Sequence, residues 1–263
     1  MSKLFKLAIF LLLSIFIFTT CDNETDESLG RTPFNPFLVR NEAELRKVGT
    51  GRDGWNPDAH YRLLNDIDLT GGDSWLPIGT LVERVEKRGD GFVLITSFNQ
   101  SFSGSFDGNN KTIKGFTFNY TDFVNYITPS ESFKYGGMFC SVSEKGVVRN
   151  LKLEDVSIIH IDDSISSYYG IITAQNRGRI INCTISGSIS YYGDDSLIGG
   201  IAGLNDNYGI IRNSFFSGTI DVIGDNNNIG GVAGRNDGTI QNSNYSGSVT
   251  GGNAIGVNHG TFE

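Results

Sequence analysis

The chain has 263 residues, 38% hydrophobic and 19% charged, too apolar for a disordered chain and too polar for a multi-span membrane protein. Acids outnumber bases 29 to 21, for a formal charge of −8, which argues against a nucleic-acid partner and the basic face it would want. Glycine is abundant at 34 and proline scarce at 5, with no Gly-every-third pattern, so collagen is excluded and many tight turns between short strands are expected.

Lys3 and Lys6 open the chain as a positive segment. From Leu7 to Phe18 it is apolar except for Ser14. That run suits a secretory signal and falls short of the roughly 20 residues needed to span a bilayer. It ends Phe18-Thr19-Thr20-Cys21, followed by Asp22-Asn23-Glu24-Thr25-Asp26-Glu27. The arrangement resembles a bacterial lipoprotein signal, which implies cleavage before Cys21 and its acylation. The other reading is an ordinary signal peptide with Cys21 as a spare thiol. Removing residues 1–20 takes away two lysines and no acids, leaving a formal charge of −10. Residues 22–33 lack a hydrophobic pattern and read as an acidic flexible tether. Acids just after such a cysteine resemble a surface-export signal in one bacterial group and an inner-membrane retention signal in another, and the sequence does not choose between them.

Asn41-Glu42-Ala43-Glu44-Leu45-Arg46-Lys47-Val48-Gly49 predicts a two-turn helix, with Asn41 as N-cap, Glu44 in the capping-box position and Gly49 at the end. Residues 80–101 predict a protruding loop or hairpin, with Asp90-Gly91 at its turn. Asn119 to Phe133 predicts a second excursion, rich in Tyr and Phe.

The remainder repeats. Gly146-Val147-Val148-Arg149-Asn150 returns as Gly178-Arg179-Ile180-Ile181-Asn182, Gly209-Ile210-Ile211-Arg212-Asn213 and Gly238-Thr239-Ile240-Gln241-Asn242. A fifth copy opens at Gly260-Thr261-Phe262-Glu263. Upstream of two copies lie Gly199-Gly200-Ile201-Ala202-Gly203-Leu204-Asn205 and Gly230-Gly231-Val232-Ala233-Gly234-Arg235-Asn236. Apolar residues alternate with period two, so each repeat is expected to hold about three short strands. A unit this small cannot bury its apolar face alone. Copies stacked in register can, about 4.8 Å apart, which makes a parallel β-solenoid of about 29–32-residue rungs the expected all-β fold. A propeller is the runner-up, but its blades need longer strands and about 40 residues.

The phrase Gly-Gly-Ile-Ala-Gly-x-Asn followed by Gly-x-Ile-x-Asn resembles the GLUG-motif repeat of bacterial surface proteins. The stretch from Tyr61 to Leu69, Trp75-Leu76-Pro77-Ile78-Gly79, and the stretch from Phe102 to Asn109 are similar to segments that precede such repeats. The resemblance covers residues 38–263. It implies a right-handed parallel β-helix on a secreted or surface-displayed protein, in adhesin-like settings or noncatalytic parts of immunoglobulin A peptidases. No catalytic residue comes with it. The expected organisation is a signal peptide at 1–20, a tether at 21–33, an N-terminal cap with a short helix and irregular rungs at 34–134, and repeats at 135–263.

Asn150, Asn182, Asn213 and Asn242 are expected to stack as one asparagine ladder, and Asn176, Asn205, Asn236 and Asn258 as a second. Counting twelve and thirteen residues past the first ladder reaches Asp162-Asp163, Asp194-Asp195 and Asp225-Asn226. A column of carboxylates could hold calcium, which takes 6–8 oxygen ligands, or could simply stay solvated. No other cofactor is expected. Tyr168, Tyr169, Tyr191 and Tyr192 lie near those turns and could stack on a sugar or a partner protein, although one of each pair can point inward instead.

Cys140 and Cys183 are expected to be reduced, buried fillers. His60, His160 and His259 lie outside any metalloprotease motif. Strand faces read as Ser, Thr, Asn and Ile, with basic residues sparse beyond Arg212. The expectation is therefore no enzyme, with a polysaccharide lyase or hydrolase as the alternative. The expected role is binding or adhesion toward a glycan or a host or neighbour protein, on a bacterial envelope lipoprotein anchored in the outer membrane and surface-exposed, with an acidic lateral surface. A passive scaffold is the other competitor. The last rung could also support end-to-end self-association.

Overall fold

The computed structural model describes residues 28–79, 81–88, 91–97, 101–120, 134–161 and 166–263. The signal segment, Cys21 and the run from Asp22 to Glu27 lie outside the described residues, as do 121–133 of the second excursion.

The described chain is almost entirely β. Four parallel sheets, of eight, seven, five and four strands, stand beside one separate antiparallel hairpin. Within a repeat the chain visits the four sheets in a fixed order. Ser167–Gly170 lies in the four-stranded sheet, Thr173–Asn176 in the five-stranded, Arg179–Ile181 in the eight-stranded and Thr184–Tyr192 in the seven-stranded. The next circuit is Leu197–Gly199, Ala202–Asn205, Ile210–Arg212 and Phe215–Ile223. Each strand pairs with the equivalent residues of the adjacent repeat, as in Ile180↔Ile211 and Ile185↔Phe216.

A repeat thus holds four strands where the alternation predicts about three. The Gly-Gly-Ile-Ala-Gly phrase, which reads as one apolar run, is a corner: its first glycine ends one strand and its alanine begins another, in a different sheet. Only glycine fits this corner. A Cβ on Gly199 would stand 2.0 Å from the Ala202 carbonyl oxygen and 2.7 Å from the Ala233 Cα of the next repeat.

The core is a set of columns. In the eight-stranded sheet Tyr61, Phe106, Val148, Ile180, Ile211 and Ile240 stack inward, each 1% exposed or less. Ile113, Leu153, Ile185 and Phe216 do the same in the seven-stranded sheet. Burying such a side chain contributes about 1.5–3 kcal/mol. The period of two sends the intervening residues outward.

The predicted helix forms over Glu42–Leu45. The Asn41 side chain accepts from the Glu44 N–H at 2.9 Å, and Glu44 Oε2 accepts from the Arg40 N–H at 2.7 Å. The second predicted turn closes with tighter three-residue bonds, Lys47 N–H to Glu44 O and Val48 N–H to Leu45 O, before Gly49 leaves with φ of 73°. Leu45 and Val48 enter the core. Upstream, Gly30 N–H donates to Asn35 O and Gly30 O accepts from His60 N–H, so chain inside the expected tether already binds the body.

Leu81–Arg88 and Gly91–Ser97 form the antiparallel hairpin, paired up to Arg88↔Gly91. It is inserted between two isolated bridges: Ile78 bridges Phe139 and Phe102 bridges Val142, both at the edge of the five-stranded sheet. The core column is therefore continuous across the insertion.

Candidate functional site

Both asparagine ladders exist, and they differ. Asn176, Asn205 and Asn236 are fully buried. Asn176 Nδ2 donates to Asn205 Oδ1 at 2.7 Å, Asn205 Nδ2 to Asn236 Oδ1 at 2.7 Å, and Asn236 Nδ2 to Asn258 Oδ1 at 2.8 Å. Their oxygens also take turn N–H groups, as Asn176 Oδ1 does from Gly178 at 3.2 Å. Buried amides that are satisfied repeat by repeat hold the register.

The other ladder lies nearer the surface. Asn213 Nδ2 donates to Asn182 Oδ1 at 3.2 Å, and Asn182 Nδ2 to Asn150 Oδ1 at 3.3 Å. Asn150, Asn182, Asn213 and Asn242 all have φ between 48° and 55°. Asparagine tolerates this left-handed corner better than other side-chain-bearing residues, which is the local reason for its recurrence.

The ladder ends on an ion cluster. Asn150 Nδ2 donates to Asp107 Oδ1 at 3.1 Å, and Asp107 Oδ2 meets Arg149 Nη2 at 3.1 Å and Arg62 Nη2 at 3.4 Å. Burial works against the Asp107 carboxylate. The Asn109 N–H, the Asn150 amide and the two guanidiniums outweigh it and hold its pKa below the ordinary value.

Of the acid column, Asp162 and Asp163 lie outside the described residues. Asp194-Asp195 and Asp225-Asn226 do fall on adjacent repeats. Asp194 Oδ1 accepts from the Asp225 N–H at 2.6 Å, and the Asp195 N–H donates to Asp225 O at 3.0 Å. Asp195 and Asn226 share a left-handed φ of 52° and 57°. A carboxylate spent on a turn N–H is a structural use of these positions. Among the described residues no group of three or more His, Cys, Asp or Glu side chains is placed to hold a metal ion.

The tyrosines divide. Tyr169 and Tyr191 are buried and cannot contact a partner from the surface, whereas Tyr168 is half-buried and Tyr192 is 46% exposed. Strand alternation is the cause: Tyr191 aligns with His160 and Val222 on the inner face, and Tyr192 with Ile161 and Ile223 on the outer. Buried His160 stacks on Tyr191 with centroids 4.6 Å apart, and its Nδ1 lies 2.8 Å from the Tyr169 hydroxyl. Ile161, Tyr192 and Ile223 form an exposed apolar column beside the acidic turns.

Cys140 and Cys183 are buried and unpaired with each other. Burial pushes the Cys183 thiol up to about 12, against the Leu151 and Ile181 backbone groups, which lower it.

The outer face of the eight-stranded sheet departs from the reading of strand faces. One outward column runs Arg62, Asp107, Arg149, Ile181, Arg212, Gln241, and the other His60, Ser105, Val147, Arg179, Ile210, Thr239. Four arginines therefore share one face of an acidic protein. They are scattered in sequence, and only the strand register gathers them. Arg149, Arg179 and Arg212 share one sequence signal, a position before or after the central isoleucine or valine of a Gly-x-[Ile/Val]-x-Asn phrase, and Arg62 lies outside any such phrase.

Among the described residues no helix is long and apolar enough to cross a membrane. Residues 194–221 match the model of the GLUG motif. The chain is 33% identical over 159 residues, 59% of its length, to a provisionally named Gly-rich membrane protein of Evansella cellulosilytica. It is 28% identical over 178 residues, 67% of its length, to halomucin of Haloquadratum walsbyi. It spans only 15% of the first relative and 2% of the second. A crystal structure provisionally described as an immunoglobulin A1 protease from Bacteroides ovatus aligns with a TM-score of 0.47 and 22% identity, over 83% of this chain and 59% of that one.

Proposed function

We propose that the chain is a right-handed parallel β-helix displayed on a bacterial cell envelope for binding or adhesion, without catalysis. The observation that carries this is the in-register pairing of equivalent strands through successive repeats. Such pairing lays outward side chains in columns at rung spacing, about 4.8 Å. A long periodic face suits a periodic or extended ligand better than a small substrate. The GLUG match and a relative named as a membrane protein support an envelope setting.

The same reading puts an acyl anchor on Cys21. Labelled palmitate should enter the wild-type chain expressed in a bacterial host and not the Cys21→Ser variant. Equal incorporation in both would remove the anchor. The alternatives to binding are a polysaccharide lyase or hydrolase and a passive scaffold. A glycan and protein array probed with the full-length chain in detergent separates them. Retention on defined ligands without product release is the expected result. Cleaved glycan would establish the enzyme, and no retention on any surface would leave the scaffold.

A further inference from the structure

The arginine face has a pattern of its own. On three consecutive repeats the outward pairs are Val147 and Arg149, Arg179 and Ile181, Ile210 and Arg212. Arginine and aliphatic residues alternate along each strand and across strands. Arg179 sits between Val147 and Ile210, and Ile181 between Arg149 and Arg212. This checkerboard avoids like charges directly opposite one another, which are destabilising. It still sets Arg179 and Arg212 on a diagonal of roughly 8 Å.

Arg149 is engaged by Asp107. Arg179 and Arg212 are exposed and make no ion pair with any described residue, while nearby Arg177 takes both Glu144 and Asp206. In a chain where acids outnumber bases 29 to 21, this is cationic surface that the protein itself does not neutralise.

We propose that this face, centred on Arg179 and Arg212, is a docking strip for a linear anionic polysaccharide laid along the stacking direction. The inference rests on the binding role proposed above and names its ligand class. Charge complementarity requires carboxylate or sulfate groups on the partner, and guanidinium forks suit both. The half-buried Val147, Ile181 and Ile210 between the arginines offer apolar ledges for the C–H faces of sugar rings. A folded acidic protein would need a broad apolar centre to dock stably, which this face lacks.

The test uses the full-length chain in detergent, alginate and dextran sulfate as probes, neutral dextran as control, and polyglutamate as an acidic-peptide arm. The double variant Arg179→Thr/Arg212→Gln copies the residue types that Thr239 and Gln241 already supply on this face, so the fold is expected to survive; circular dichroism and the melting midpoint check it. Wild type should bind a polyanionic glycan at low ionic strength, weaken as salt rises, and ignore neutral dextran. The folded double variant should lose on the order of tenfold in affinity. Unchanged binding by the folded variant overturns the proposal. Equal arginine-dependent binding to polyglutamate overturns the polysaccharide assignment. Binding only to neutral glycans or proteins on the array sinks this strip and leaves the binding role standing, whereas no binding to anything sinks both.

Discussion

The region before residue 120 and the region after 134 build one continuous core by different means. The first uses bulk: Phe37 stacks on Trp55 at 4.8 Å, Tyr61 meets Phe102 at 6.1 Å, and Trp75 meets Phe116 at 5.8 Å. A helix and an inserted hairpin interrupt its parallel strands, so side chains of varied shape fill unequal spaces. The second uses repetition: isoleucine or valine on isoleucine, glycine on glycine, asparagine on asparagine. Identical neighbours allow devices that work only in series, such as an amide ladder in which each side chain donates to the next. Where the two regions meet, Asp107, Arg62 and Arg149 take the place of asparagine at the end of the outer ladder.

The sharpest way to break the contrast is to deny the repeats their close stacking. A Cβ on Gly218 would lie 1.9 Å from the Gly187 carbonyl oxygen, whereas one on Gly251 meets nothing within 4 Å. Gly218→Ala should cost about 3 kcal/mol. Gly251, at φ of 82°, pays only the left-handed strain of alanine, about 1 kcal/mol. Urea melts of the two variants compare them, and equal midpoints would refute close stacking as the reason for glycine. Next comes the buried ladder. Asn205→Leu strands the Asn176 amide and the Asn236 oxygen, and should cost about 2 kcal/mol in the same assay.

Asp107 probes the other region. Its folded pKa is depressed, so it contributes stability above its unfolded value and loses it as pH falls through the folded one. Asp107→Asn should cost about 1 kcal/mol near neutrality, since both arginines are partly exposed. It should also flatten the decline in melting midpoint between about pH 5 and pH 2. A variant with the wild-type slope would show that the carboxylate is not held by its neighbours. The smallest effect concerns Cys183. With its thiol near 12, it should resist alkylation at about pH 8 until denaturant is added, as read by peptide mass spectrometry.

Period-two alternation and the recurring Gly-x-[Ile/Val]-x-Asn phrase made the strands and the columns of Ile180, Ile211 and Ile240 legible, because a strand's facing is a local property. The Asn ladders were legible for the same reason, since equal spacing in sequence becomes vertical alignment once copies pair. Asn41 announced its helix through capping chemistry confined to four residues. The fourth strand of each repeat was not legible. Whether Gly-Gly-Ile-Ala-Gly bends depends on how closely two backbones approach, and apolar content is the same either way.

The arginine face was hidden for a related reason. Arg62, Arg149, Arg179 and Arg212 are up to 150 positions apart, and parallel pairing across several circuits decides that they share a surface. Which residues turn inward, and where the chain repeats, follow from short-range chemistry along the chain. Which outward residues become neighbours is set by strand register between segments that are never adjacent along the chain, and so emerges only on folding.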